Sequence, residues 1–96
     1  MNKYELALVV SSKIDDEARA AVVEKVNAII EKAGGSNINV DDKGKKKLAY
    51  EIQKMSEGYY YFIAFDAEAT TPAKIEAQVR IMESVLRYLC VRTDAE

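Results

Sequence analysis

Alternation of apolar and polar positions divides the chain before any other property is needed. Lys3 to Val10 reads KYELALVV, with Tyr4, Leu6, Leu8 and Val10 at every second position. That period is a strand's, because successive side chains of a strand point to opposite faces. After the polar break Ser11-Ser12-Lys13 the period changes. Ala18, Val22, Val26, Ile29, Ile30 and Ala33 recur at three- and four-residue spacing, as on one face of a helix over 16–33. Asp15 supplies an N-cap, and Asp16 and Glu17 put negative charge where the helix dipole favours it. Gly34-Gly35 stops the helix. Residues 36–52 hold two alternating stretches, Ile38/Val40 and Leu48/Tyr50/Ile52, around the wholly polar Asp41–Lys47. This fits either a hairpin turned at Asp42-Lys43-Gly44 or one long edge strand bent at Gly44. A turn over 53–58 leads to Tyr59–Ala67, YYYFIAFDA, apolar on both faces and therefore central in a sheet. Thr71 as N-cap and Pro72 as first helical residue open a second helix, striped by Ile75, Val79 and Met82. Val85–Arg92 is the last strand.

The order strand, helix, strand, strand, helix, strand predicts an α+β fold, the ferredoxin-like split βαβ sandwich. Its four strands form an antiparallel sheet in the order 4-1-3-2, with two helices on one face and a single domain over 1–96. Strand parity turns Leu6, Leu8, Val10, Tyr61, Ile63, Phe65, Leu86, Tyr88 and Cys90 towards the helices. It leaves Ala7, Val9, Tyr60, Phe62, Arg87, Leu89 and Val91 on the open face. That face is too apolar to stay in water. Ala7, Val9, Tyr60, Phe62, Leu89 and Val91 are therefore candidates for contact with a partner protein.

Composition narrows the chemistry. The 96 residues include no histidine, no tryptophan and one cysteine, with 49% apolar and 31% charged residues and a formal charge of −2. Without histidine there is no imidazole base and no histidine-ligated metal. Cys90 alone forms neither an internal disulfide nor a thiolate cluster, and it has no base to activate it. Asp15–Glu17 is a capping segment, and Asp41-Asp42 lacks the ligand spacing of a calcium loop. No apolar run approaches the ~20 residues that cross a bilayer, and the start lacks the apolar core of a signal peptide. The expectation is a cytoplasmic binding protein without cofactor, metal, membrane or small-molecule substrate. Charge is unevenly spread: residues 43–54 hold five lysines and one acid, +4, which leaves −6 for the rest. Arg80, Arg87, Arg92 and Lys3 add cations on the last helix and on the last and first strands. Cations beside exposed aromatics suit nucleic acid, since lysine neutralises phosphate and an aromatic ring stacks an unpaired base. The plainer reading of the lysine run is a solvated, charged edge.

A family resemblance bears on these alternatives. The Tyr4-Glu5 strand, the run Gly44-Lys45-Lys46-Lys47-Leu48-Ala49-Tyr50-x-Ile52, Gly58-Tyr59-Tyr60 and Val85-Leu86-Arg87-Tyr88-Leu89 together resemble the bacterial small-subunit ribosomal protein six family. Lys43 and Glu51 stand where many members have an aromatic residue and a proline. The resemblance implies a ferredoxin-like RNA-binding protein of the small ribosomal subunit. It implies binding to the central domain of 16S ribosomal RNA with the eighteenth small-subunit protein, a small basic partner, and it favours the long bent strand. On this reading Lys45, Lys46 and Lys47, with Lys3, Arg80, Arg87 and Arg92, are the RNA or rim contacts. The alternative is a small ferredoxin-like domain that uses its open face to form homo-oligomers.

Overall fold

The computed structural model describes residues 2–52 and 55–93, with the backbone course alone for 49–52 and 55. Its elements are β1 (Asn2–Ser11), α1 (Asp16–Lys32), β2 (Ser36–Ile52), β3 (Met55–Ala67), α2 (Thr71–Val79) and β4 (Val85–Arg92). The strands form one antiparallel sheet in the order β2-β3-β1-β4, the expected arrangement. Tyr4, Leu6, Leu8 and Val10 of β1 and Tyr61, Ile63 and Phe65 of β3 are buried with Val26 and Ile30 of α1 and Ile75 and Val79 of α2. Tyr4 and Phe65, directly opposite in the register, stack with ring centroids 5.8 Å apart.

The helix ends follow local chemistry. Asp15 Oδ1 accepts a hydrogen bond from Ala18 N at 2.8 Å, the N-cap its position foretells. Ala18 itself is exposed, and the chain instead turns Arg19 inward. Thr71 is the first residue of α2 rather than its cap. Its buried hydroxyl donates to Ala33 O at 2.9 Å, satisfying a carbonyl left open at the end of α1. Met82 lies beyond the end of α2 yet still packs on the core.

Strand limits and pairing depart from simple alternation at several places, and β2 shifts register against β3 between Ser36 and Asn39, Asp42 and Gly44, and Lys47 and Ile52. β3 starts at Met55, so 55–58 is strand where the sequence suggests a turn; Gln53 and Lys54 lie outside the described residues. In β4 the register slips between Val9 and Val10 of β1, and Val85 rather than Leu86 pairs with Val10 and packs on the core. Residues 36–52 are one long strand, not a hairpin. Within it, Asp42 pairs with Tyr61 and Gly44 with Tyr60, so Lys43 is an extra residue. One inserted residue exchanges the two faces of everything after it. Val40 therefore lies on the helix side with Ile63, whereas Lys46 and Leu48 share the open face with Gly58 and Tyr60. Gly44 makes this possible at φ +76°, and Asp42 Oδ1 accepts from its N–H at 2.8 Å.

Cys90 pairs with Leu6 and turns towards the helices. Burial, and secondarily the charge of Glu76, push its thiol up to about 11.

Two glycine substitutions separate backbone strain from steric conflict. Gly44→Ala meets open space but forces a side chain into the left-handed region, and is expected to destabilise by about 1–2 kcal/mol. Gly58→Ala sets a Cβ 2.7 Å from Val9 Cγ1 and 3.3 Å from Val10 O, and is expected to cost about 1–3 kcal/mol through displacement of Val9. Urea titration of both variants checks these values. For Cys90, iodoacetamide at pH 8 should react about a hundredfold more slowly with the folded than with the unfolded chain, because less thiolate is present. The raised thiol favours the neutral form in the folded state. Its stabilising contribution is therefore complete below the unfolded value of about 9 and is lost as pH rises from there through about 11. Urea midpoints of the wild type and Cys90→Ala across this range test the sign.

Candidate nucleic-acid and protein interface

The open face is built in rows across the sheet. Arg87, Val9, Tyr60 and Gly44 form one row, and Leu89, Ala7, Phe62 and Asp41 the next. Beyond them come Val91, Glu5, Ala64 and Asn39, and then Lys3 opposite Asp66. The six apolar candidates are thus neighbours on one surface. They are not equally available. Val9 is only 8% exposed, whereas Leu89 and Val91 on the edge strand are 60% and 42% exposed. Val9 shares the space above Gly58 with Leu48, which the bulge carries onto this face. Ala7, Val9, Tyr60, Arg87, Tyr88 and Leu89 line a shallow depression of about 250 Å³.

The seven candidate cations are all exposed, but they do not form one patch. Five lie towards the end of the molecule where β1 finishes. Lys45, Lys46 and Lys47 are on the outer half of β2, and Arg87 is in the row of Val9. Arg80 caps the end of α2, just before Ser84, whose carbonyl accepts from Ser11 N at 2.8 Å. Lys3 and Arg92 lie at the opposite end, where Arg92 pairs with Tyr4 and Thr93 N donates to Lys3 O at 2.8 Å. Lys46 and Arg87 lie on opposite edges of the sheet, separated laterally by three strand spacings, about 14 Å, and offset by two residues along β1.

Alternation also divides the lysine run. Lys46 is on the open face, while Lys45 opposite Tyr59 and Lys47 opposite Glu57 turn to the other side. Lys43 is bound within the chain: its Nζ lies 2.9 Å from Asp41 Oδ2. Asp41, and more weakly Glu5, hold that ammonium above the ordinary lysine range. The open face therefore runs from a basic end, Lys46 and Arg87, to an end where Glu5, Asp41 and Asp66 balance Lys3 and Lys43.

Past Ser11↔Gly58, β1 no longer accompanies β3, and β2 and β3 continue as a two-stranded arm from Lys47↔Glu57 to Ile52↔Met55. The root of this arm holds a cluster that the apolar periodicity of the sequence does not reveal. Arg19 Nε donates to Tyr61 Oη at 2.9 Å, its Nη1 lies 2.7 Å from Asp16 Oδ1, and its guanidinium carbon is 3.8 Å from the centre of the Tyr59 ring. The only available signal was the three-residue spacing of Asp16 and Arg19, which joins acid and base on one helix face.

Among the described residues, no group of three or more cysteine, aspartate or glutamate side chains is arranged to hold a metal ion. No helix is long and apolar enough to cross a membrane.

Comparison with known proteins agrees with this architecture along its length. The family model described as Ribosomal protein S6 matches residues 3–92. Small ribosomal subunit protein bS6 of Clostridium kluyveri is 43% identical over 94 residues, covering 98% of this chain and 99% of that protein. Its counterpart in Clostridium botulinum is 42% identical over 91 residues, covering 95% and 97%. The crystal structure of 30S ribosomal protein S6 from Thermotoga maritima superposes with a TM-score of 0.87 at 28% identity, covering 96% of this chain and 87% of that one. Matched from first strand to last by sequence and by fold, the chain belongs to the ribosomal protein S6 family, structural components of the small ribosomal subunit rather than enzymes.

Proposed function

We propose that this chain helps to build the small ribosomal subunit in the cytoplasm by binding the central domain of 16S ribosomal RNA together with the eighteenth small-subunit protein. One observation carries the reading. The apolar open face meets, at its basic end, the exposed Lys45, Lys46 and Lys47 at the root of a two-stranded arm. A protein partner and an RNA backbone therefore have adjoining surfaces to occupy.

In this division Leu89 and Val91, with Ala7, Val9, Tyr60 and Phe62, meet the partner protein. Leu89 and Val91 supply most of the exposed apolar area, and the half-buried Tyr60 and Phe62 form its floor. Lys45, Lys46, Lys47, Arg80 and Arg87 meet phosphates from the basic end, and Lys3 and Arg92 serve the opposite rim. Fully hydrated lysines suit this role, since each phosphate neutralised releases condensed counterions and little desolvation opposes it. A net charge of −2 is compatible with this, because the local field is basic and a basic partner protein offsets the acids elsewhere.

The test is RNA binding measured across a salt series with the eighteenth protein present. Lys46→Ala and Lys47→Ala should each lower the slope of log affinity against log salt by about one unit. An unchanged slope in both rejects the phosphate role. Leu89→Asp should weaken binding of the partner protein by about tenfold or more while leaving the fold intact. A stable homodimer of the wild type, indifferent to RNA and partner, would support self-association through the open face instead.

A further inference from the structure

The arm that starts at Lys47, directly beyond Lys45 and Lys46, cannot hold its own direction. A ribbon of two strands is marginally stable alone and free to twist, and this one leaves the sheet once β1 ends at Ser11↔Gly58. Whatever fixes its angle acts at the root. On the open face Val9 and Leu48 close over Gly58. On the helix face the root residues of β3 are Tyr59 and Tyr61, and both are held by Arg19.

Arg19 is suited to this by its chemistry. One planar guanidinium stacks on Tyr59 at 3.8 Å, donates to Tyr61 Oη at 2.9 Å and pairs with Asp16 at 2.7 Å, so the start of α1 grips two residues of β3 at once. A lysine ammonium carries its three donors on one nitrogen and has no plane to lay on a ring, so it cannot reproduce this spread of contacts. Tyr59 lies opposite Lys45, and Tyr61 opposite Asp42 beside the bulge. The grip is therefore applied where β2 exchanges its faces. Although cationic, Arg19 is 16% exposed, and its guanidinium is engaged by Tyr59, Tyr61 and the exposed Asp16, which sets it apart from the phosphate-contacting candidates.

We propose that Arg19 is a positioning residue for RNA binding: by clamping Tyr59 and Tyr61 against α1 it fixes Lys45 and Lys46 at the root of the arm and sets the angle at which Lys47 leaves the body. This rests on the reading of those lysines as phosphate contacts. It adds that their affinity depends on a residue that touches no RNA.

Amide hydrogen exchange of the free protein tests the clamp without RNA. In Arg19→Lys, the amides of Lys45–Leu48 that bond to β3, and that of Tyr59, should exchange about tenfold faster, while those of Leu6, Leu8 and Ile63 stay protected. Tyr59→Leu, which keeps an apolar side chain but removes the ring, should do the same. In the salt series with the eighteenth protein and the central-domain RNA, Arg19→Lys should lower affinity about five- to tenfold at every salt concentration with an unchanged slope. Unchanged exchange at the arm overturns the clamp. Faster exchange with unaltered RNA affinity overturns the positioning role, and a slope reduced by about one unit assigns Arg19 to direct phosphate contact. If Lys46→Ala and Lys47→Ala leave the slope unchanged while Arg19→Lys still loosens the arm, the phosphate reading fails and the clamp stands.

Discussion

Antiparallel pairing of β1 with β3 runs unbroken from Asn2↔Ala67 to Ser11↔Gly58, and the other elements take their positions from it. This register assembles Tyr4, Leu6, Leu8 and Val10 with Phe65, Ile63 and Tyr61 on one face. A slip of one residue would turn that whole set to water. With each fully buried aliphatic or aromatic side chain contributing about 1.5–3 kcal/mol, no shifted pairing competes. Helices α1 and α2 then have a single apolar surface to cover, and β2 and β4 have one edge each to extend. The alternate residues Ala7, Val9, Tyr60 and Phe62 are carried to the open face as a necessary result. The core and the candidate partner surface are thus two sides of one register.

Where side-chain period alone decides an element, the sequence is readable. The central strands, the capped start of α1 at Asp15 and the limits of β4 all follow from spacing and local chemistry. What escapes is whatever depends on a count of residues between strands. Ile38, Val40 and Leu48 all fall on even positions, which suggests a common face. The extra residue Lys43 divides them, because pairing rather than numbering sets parity. Val85 replaces Leu86 in the core for the same reason at the β1–β4 slip. Arg19 escapes differently: a charged residue beside an apolar stripe reads as solvated until the two tyrosines that receive it are brought there by β3. Charge distribution along the chain points to the candidate cations, but their division between two ends and two faces belongs to the tertiary structure.

The bulge gives the lysine run its character. Alternation puts Lys46 on the side of Tyr60 and Leu48, and Lys45 and Lys47 on the other. The root of the arm is therefore charged on both faces, and its lysines are exposed. Interaction among such hydrated charges is weak and salt-screened, so they cost the fold little and remain available to an outside anion. Asp41 removes Lys43 from that group by pairing with it at the bulge itself. A chain acidic in sum is in this way basic in one place, by geometry as much as by composition.

Thr93 N bonds to Lys3 O, so the two extremities of the described chain lie side by side along the β1–β4 edge. The order of folding carries a consequence of this. β2 and β3 are joined by a short link, the kind of hairpin that in general closes in microseconds, whereas β4 closes the longest loop among the described residues. During synthesis β4 is also the last of the described elements to emerge. Until it arrives, the central strand β1 has one bare edge, and Leu6 and Leu8 lack the cover of Cys90 and Tyr88 opposite them. The interval before the final strand docks is when the nascent chain is most open to pairing with a wrong neighbour.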